Sequence, residues 1–283
     1  MKQNLIDQIT KTCDAEITKR LWGARISNAK GNIARYLITD FRAFGLLTGV
    51  IRYISHRENI NEKIFYRGQN QEWPLRPKLY RPNPADHKEH LSAEEIELAN
   101  EWMELALKIV EEDFDFAGTN NERKAMAQHY GLATDFIDIV DHIQTALWFA
   151  YDELQDSASV GYIYVISIPL YNATIIDLRN KPSDWLRPQV QQAFCFKMNK
   201  TTEFGKISGR YHVMTFVIPR DLLRLWSNYD VIGRDFIYPP DDNDHAHYFW
   251  SKAAQRLEEA KIGTSPTEWI NRKLKERGLH NGK

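Results

Sequence analysis

Three short stretches carry residues able to hold or transform a polar ligand. The first is Tyr66-Arg67-Gly68-Gln69, closing the run KIFYRG. Arginine offers a planar fork of donors that grips a phosphate or carboxylate in two places at once. The adjacent glycine lets a ligand approach bare backbone. Read alone, the triplet serves equally well as a surface ion pair followed by a turn. The second stretch is Gln128-His129-Tyr130-Gly131, with Thr134 and Asp138 after it. Asp135, Asp138 and Asp141 offer carboxylates for acid–base work or a metal. The alternation of TDFIDIV does not put all three on one face, so no metal is expected, and Asp141 suits a helix cap. His129 is either a base or a hydrogen-bonded structural histidine. The third stretch holds Arg187, Gln191 and Gln192 in WLRPQVQQAFCF, where amides entering an aromatic run need backbone or ligand partners.

Other signals are weaker. His245 and His247, beside Asp241, Asp242 and Asp244, read as a solvated loop before a helix rather than a metal seat. No phosphate loop, GxGxxG, GxSxG or HExxH pattern is present, which disfavours the kinase and hydrolase classes defined by those motifs.

The elements that must position these residues follow from periodicity. DFRAFGLLTGVIRYISHR has apolar residues at helical spacing, and KIFYRG reads as a short strand. Pro74, Pro77, Pro82 and Pro84 preclude regular structure in the loop that follows. Ser92 and Glu95 form a capping-box pattern ahead of a long helix. RKAMAQHYG is a second helix, capped by Gly131. TDFIDIV is a strand and HIQTALWFAYDEL a helix; VGYIYVISI, TIIDL and YHVMTFVIP are strands, RDLLRLW is a helix, and RDFIYPP is a strand running into a turn. The first ~35 residues read as a polar helix and a loop around NAKGN, and the last ~40 as charged helix. The order gives an α+β fold: a helical N-terminal part, then a mixed or antiparallel sheet core flanked by helices. The expected division is an extension over 1–35, a domain over 36–250 and a helical extension over 251–283.

Composition agrees with a globular domain. Of 283 residues, 43% are hydrophobic and 27% charged, which suffices for a sizeable core. A net charge of −1 gives no general attraction to nucleic acid, and no stretch is apolar enough to suggest a membrane span. Cys13 and Cys195 have no metal-type spacing, and the first residues lack a signal-peptide core, so a cytoplasmic location is the expectation.

The blocks FYRGQNQEWPLRPKLYR, AMAQHYGLATDFIDIVDHIQTALWFA, RPQVQQAFCF and DFIYPP together resemble the FRG domain family, from about Tyr36 to Trp250. Ala133, Asp135, Ile139, His142, Ile143 and Ala193 depart from the family's usual residues, the last few at local turns. The family occurs in bacterial and phage-related settings, and its layout is distantly similar to that of ADP-ribosyltransferases. That similarity implies NAD as the ligand. Arg67 would hold its pyrophosphate beside Tyr66 and Gln69, with Gly68 at the nicotinamide amide and Tyr130 stacked on the ring. Thr134, with the helix through Phe149, would form the second element, and Gln191 or Gln192 the third. A glutamine there lacks the glutamate's charge, so Asp138 would have to supply it. The competing expectation is a module without catalysis that binds a nucleotide, another anionic small molecule or a protein, in bacterial stress or phage-defence systems.

Overall fold

The computed structural model describes residues 23–26, 33–57, 62–83, 88–111, 118–152, 159–169, 175–180, 185–197, 211–240 and 244–278. In chain order these form β1 (Gly23–Ile26), β2 (Ala34–Ile38), α1 (Phe41–Arg57), β3 (Glu62–Gln69), a 3-10 turn at Lys78–Tyr80, α2 (Ala93–Val110) and α3 (Asn120–His129). There follow β4 (Phe136–Val140), α4 (Ile143–Asp152), β5 (Val160–Pro169), β6 (Ile175–Asp177), α5 (Leu186–Val190), β7 (Ala193–Lys197) and β8 (His212–Pro219). The chain continues with α6 (Arg220–Trp226), α7 (Arg234–Ile237), α8 (His245–Glu259) and α9 (Pro266–Glu276). The expected α+β class holds. Among the described residues the strands make one eight-stranded sheet, ordered β1-β2-β8-β5-β3-β4-β7-β6. Pairing is antiparallel except for β2 against β8.

Two junctions in this sheet are unequal. β3 and β5 pair along their length, from Glu62↔Pro169 to Gln69↔Tyr162. β3 and β4 meet in register only at Tyr66↔Val140, so the sheet parts beyond that pair. On one sheet face, apolar side chains beyond the parting belong to different cores, while Val140 at the pair itself stays with the β3 side. Ile64, Tyr66, Ile163 and Phe216 pack with α1, α4 and α6 through Phe44, Leu147 and Leu223. Phe136 and Cys195 pack instead with Trp102, Met126, Phe249 and Trp269 of the helices α2, α3, α8 and α9. Phe65, Ile137, Ile139, Tyr164 and Phe194 form a third cluster, as period-2 alternation requires of the opposite sheet face.

The helix starts follow their sequence signals. Glu95 N–H donates to Ser92 Oγ at 3.2 Å and Ser92 N–H to Glu95 Oε2 at 2.7 Å, the expected capping box of α2. Thr119 and Glu122 build a second such box on α3, which the sequence reading passed over. Gly131 follows α3 with φ +114, a conformation open to glycine at little cost. Two expectations are corrected. RDFIYPP is not a strand: Arg234–Ile237 is a single helical turn, too short for periodicity to reveal, with Asp235 favoured in its first turn and prolines behind it. Asp141 does not cap α4. Its carboxylate takes Lys63 Nζ at 2.8 Å and Arg179 Nη1 at 3.0 Å. Gly23–Ile26 forms an edge strand on β2, and the helix expected ahead of it lies outside the described residues.

Candidate functional site

A cavity of about 150 Å³ opens where β3 and β4 part. Tyr66, Arg67 and Gly68 of β3, Asp138 of β4 and His129 at the end of α3 form one side. Phe149 of α4, Arg187 of α5, Gln191 and Tyr238 close the other. Seven of the eleven expected site residues therefore share one cleft.

The parting explains Arg67. Beyond Tyr66↔Val140 the backbone of β4 lacks its strand partner on β3, and a buried carbonyl without a donor is costly. Arg67 Nη1 donates to Asp138 O at 2.6 Å and so replaces the missing ladder bond. With the Gln69 amide turned to satisfy both of its ends, its nitrogen donates to Trp73 O at 3.2 Å. Its oxygen then accepts Arg67 Nε at 3.0 Å. Two edges of the guanidinium are thereby fixed, and the Asp138 carboxylate stays 4.0 Å from Nη1. Among the described residues Nη2 has no partner and is left for a ligand.

Gly68 lines the cleft, but its missing side chain has another cause. A Cβ there would stand 1.9 Å from Ala146 O and 2.7 Å from Ala150 N of α4. Glycine is required because α4 crosses β3 in backbone contact, which sets Phe149 beside the cavity. This packing reason stands beside the expectation that the glycine leaves bare backbone at the cleft.

Asp138 is deep in the protein, yet 42% of its side chain is open to the cavity. Its Oδ1 accepts Gln128 Nε2 at 2.8 Å and the Cys195 thiol at 3.4 Å, with His129 Nδ1 at 3.8 Å. Burial alone pushes this carboxyl up. The His129 imidazole, the Arg67 guanidinium and the Gln128 amide outweigh it and hold the group well below the usual carboxylate range. The adjacent Cys195 thiol is pushed the other way by burial and by the Asp138 charge. His129 is 7% exposed, and its Nε2 is buried with no hydrogen-bond partner among the described residues.

Arg187 lies between two rings, its guanidinium carbon 5.2 Å from the centroids of Tyr130 and of Tyr238. Its Nε is 4.0 Å from Asp244 Oδ2. Gln191 spends its Nε2 on Ile237 O at 2.8 Å, which ties the end of α7, and so Tyr238, to the cavity wall.

Four expected residues are not on that wall. Thr134 is fully buried and donates its hydroxyl to Gln128 Oε1. Tyr130 is buried behind Arg187, donating its hydroxyl to Asp244 Oδ1 at 2.8 Å, so it stacks on the arginine and not on a ligand. Gln69 is buried and acts on Arg67. Gln192 is exposed at the end of α5, with φ +52 and its amide on Gln189 O at 2.9 Å. It closes that helix and faces no ligand. Phe149 and Tyr238 fall in the blocks that carry the family resemblance, but neither they nor Asp244 were expected as ligand-facing residues. Asp244, expected in a solvated loop, is buried, whereas the side chains of His245 and His247 lie outside the description. Asp135, Asp138 and Asp141 go to separate partners, and among the described residues no group of three or more acids, histidines or cysteines could hold a metal ion.

Fold and cleft define a class: an α+β protein whose mixed sheet parts at its centre over a cavity flanked by two arginines, with a carboxylate inside it. The chain carries an FRG domain, matching that family's model over residues 62–159. The matched segment supplies Arg67, His129, Asp138 and Phe149, whereas Arg187, Gln191 and Tyr238 come from beyond it. A search of curated proteins and a search of solved structures return no match. Among the described residues no helix is long and apolar enough to cross a membrane.

Proposed function

We propose that the cleft binds NAD and cleaves its nicotinamide–ribose bond, passing the ADP-ribosyl group to water or to an acceptor side chain. The observation that carries this reading is the Asp138 carboxylate, open to a cavity that also holds Arg67 and Arg187. Two guanidinia suit a pyrophosphate, and the rings of Phe149 and Tyr238 suit a flat heterocycle or a sugar face. A cavity of about 150 Å³ takes one ring or ribose, so the rest of a dinucleotide would lie along the mouth. In the reaction the C–N glycosidic bond breaks, and its electron pair leaves with nicotinamide and neutralises the pyridinium. The positive charge that develops on the ribose is stabilised by Asp138. The attacking water or acceptor bonds to C1 and gives up a proton to solvent at the cavity mouth.

A module that binds without catalysis is the second reading. It is favoured by the third element, for which resemblance offers Gln191 or Gln192: Gln192 folds back on Gln189 O, and Gln191, on the wall, spends its amide nitrogen on Ile237 O. Incubation with NAD and chromatographic detection of nicotinamide separates the two. Nicotinamide release that Asp138→Asn abolishes supports the enzyme. A rise in melting temperature with ADP-ribose, with no release and no label transferred to lysate proteins, overturns it in favour of the binding module.

A further inference from the structure

Thr134 lies one layer behind the cleft, yet its hydrogen bonds have a direction. Phe136 N–H donates to Thr134 Oγ1 at 3.3 Å, so that oxygen is already an acceptor and its one proton goes to Gln128 Oε1. An amide that accepts through Oε1 must present Nε2 at its other end, and Nε2 donates to Asp138 Oδ1. The reverse orientation would set an amide oxygen against a carboxylate oxygen. The thiol of Cys195 reaches the same Oδ1. Asp138 Oδ2 is left with no hydrogen-bond partner among the described residues, 4.0 Å from Arg67 Nη1.

We propose that Thr134 and Gln128 are positioning residues, a one-way relay from the Phe136 amide that pins Asp138 Oδ1 and turns Oδ2 to the cavity. The use of that oxygen on a ribose rests on the function proposed above; the relay itself does not. Other groups facing the carboxylate are His129 from α3, Arg67 from β3, Cys195 from β7 and, at longer range, Lys78 of the 3-10 turn. Each would act on Asp138 with the relay cut, so the relay must be tested by its own residues.

The test is a pH titration of the Asp138 side-chain carbon by NMR in the full chain, beside calorimetric titration with ADP-ribose. In the unaltered protein the Asp138 signal is expected to stay ionised down to the lowest pH at which the fold persists. Gln128→Glu sets a second carboxylate against Oδ1. The pair must then share a proton, and a midpoint should appear above the ordinary carboxylate value of about 4. Gln128→Leu and Thr134→Val should displace the Asp138 carboxyl-carbon signal at neutral pH, where the group is ionised and its shift reports the hydrogen bond to Oδ1. Thr134→Ser, which keeps the hydroxyl, should restore it. Should Gln128→Glu fail to fold, the other two variants decide. An Asp138 signal that follows the unaltered protein in Gln128→Leu and Thr134→Val, with amide spectra otherwise unchanged, overturns the relay. Calorimetry is expected to give ADP-ribose binding weakened about tenfold by Gln128→Leu, because Oδ2 is no longer held toward the cavity. Absence of ADP-ribose binding in the unaltered protein counts against the nucleotide reading, while the NMR outcome still decides the relay.

Discussion

Two cation–carboxylate arrangements join β3 to the β4 region within four residues of each other, and they are built differently. At one, Lys63 and Arg179 both close on Asp141 at 2.8 and 3.0 Å, and Arg179 also takes Asp177 at 2.7 Å. Lys63 and Arg179 further lie 4.5 and 4.3 Å from the Phe194 ring centroid. Nearly every donor there faces an acceptor, so the cluster ties β3, β4 and β6 together. At the other, Arg67 and Asp138 are 4.0 Å apart, and the arginine spends its donors on a carbonyl and an amide. The carboxylate keeps one oxygen unpaired beside a cavity. Four residues along a strand, one pair serves the fold and the other has capacity left for a ligand.

Exchanging one carboxylate at a time tests that contrast most strongly. Asp138→Asn should lower nicotinamide release about 10³-fold, the scale of removing an electrostatic stabiliser from an active site. Asp141→Asn should leave release within about twofold. Equal losses in initial-rate assays would erase the distinction. Next in size, Gly68→Ala should destabilise the chain by about 3 kcal/mol or more, since the helix backbone at 1.9 Å cannot give way as a side-chain tip would. The urea midpoint measures it, and an unchanged midpoint would mean that α4 does not sit against β3. Arg67→Ala should weaken ADP-ribose binding by about 30-fold, equivalent to roughly 2 kcal/mol for a charged donor, whereas Lys63→Ala should not change it. Calorimetry on both variants decides. The smallest effect is one of pH. The folded Asp138 titrates below its unfolded value, so its stabilisation is fully present above about pH 4 and is lost as pH falls from there toward the group's own lowered value. Screening at a side chain 42% open keeps this to about 1 kcal/mol. Acid titration of the unfolding free energy should therefore fall less steeply in Asp138→Asn than in the unaltered chain.

Much of the frame was legible beforehand because it rests on local signals. Capping at Ser92, the glycine after α3 and the β-branched and aromatic runs of β5 and β8 depend on neighbours a few residues away. The single turn at Arg234–Ile237 was misread because four residues hold about one helical period, and its aromatics looked like a strand. At the site, residue types that bind anions pointed to Arg67, Arg187 and Asp138. They could not tell Gln191, on the cavity wall, from Gln192, which caps a helix one residue later. Phe149 and Tyr238 lay in the resemblance blocks but not among the expected ligand contacts, since an aromatic side chain by itself reads as core.

The sequence by itself determined which segments are helix or strand and which side chains could hold an anion, because propensity, capping and side-chain chemistry are properties of a short stretch. Only the tertiary structure decided that β3 and β4 separate after one pair, and everything particular to the site follows from that. The unpaired Asp138 carbonyl draws in Arg67, the gap admits His129 and Arg187 from distant segments, and Thr134 is set behind the cleft instead of within it. Strand pairing is a long-range balance of burial and hydrogen bonding, and no window of sequence contains both partners.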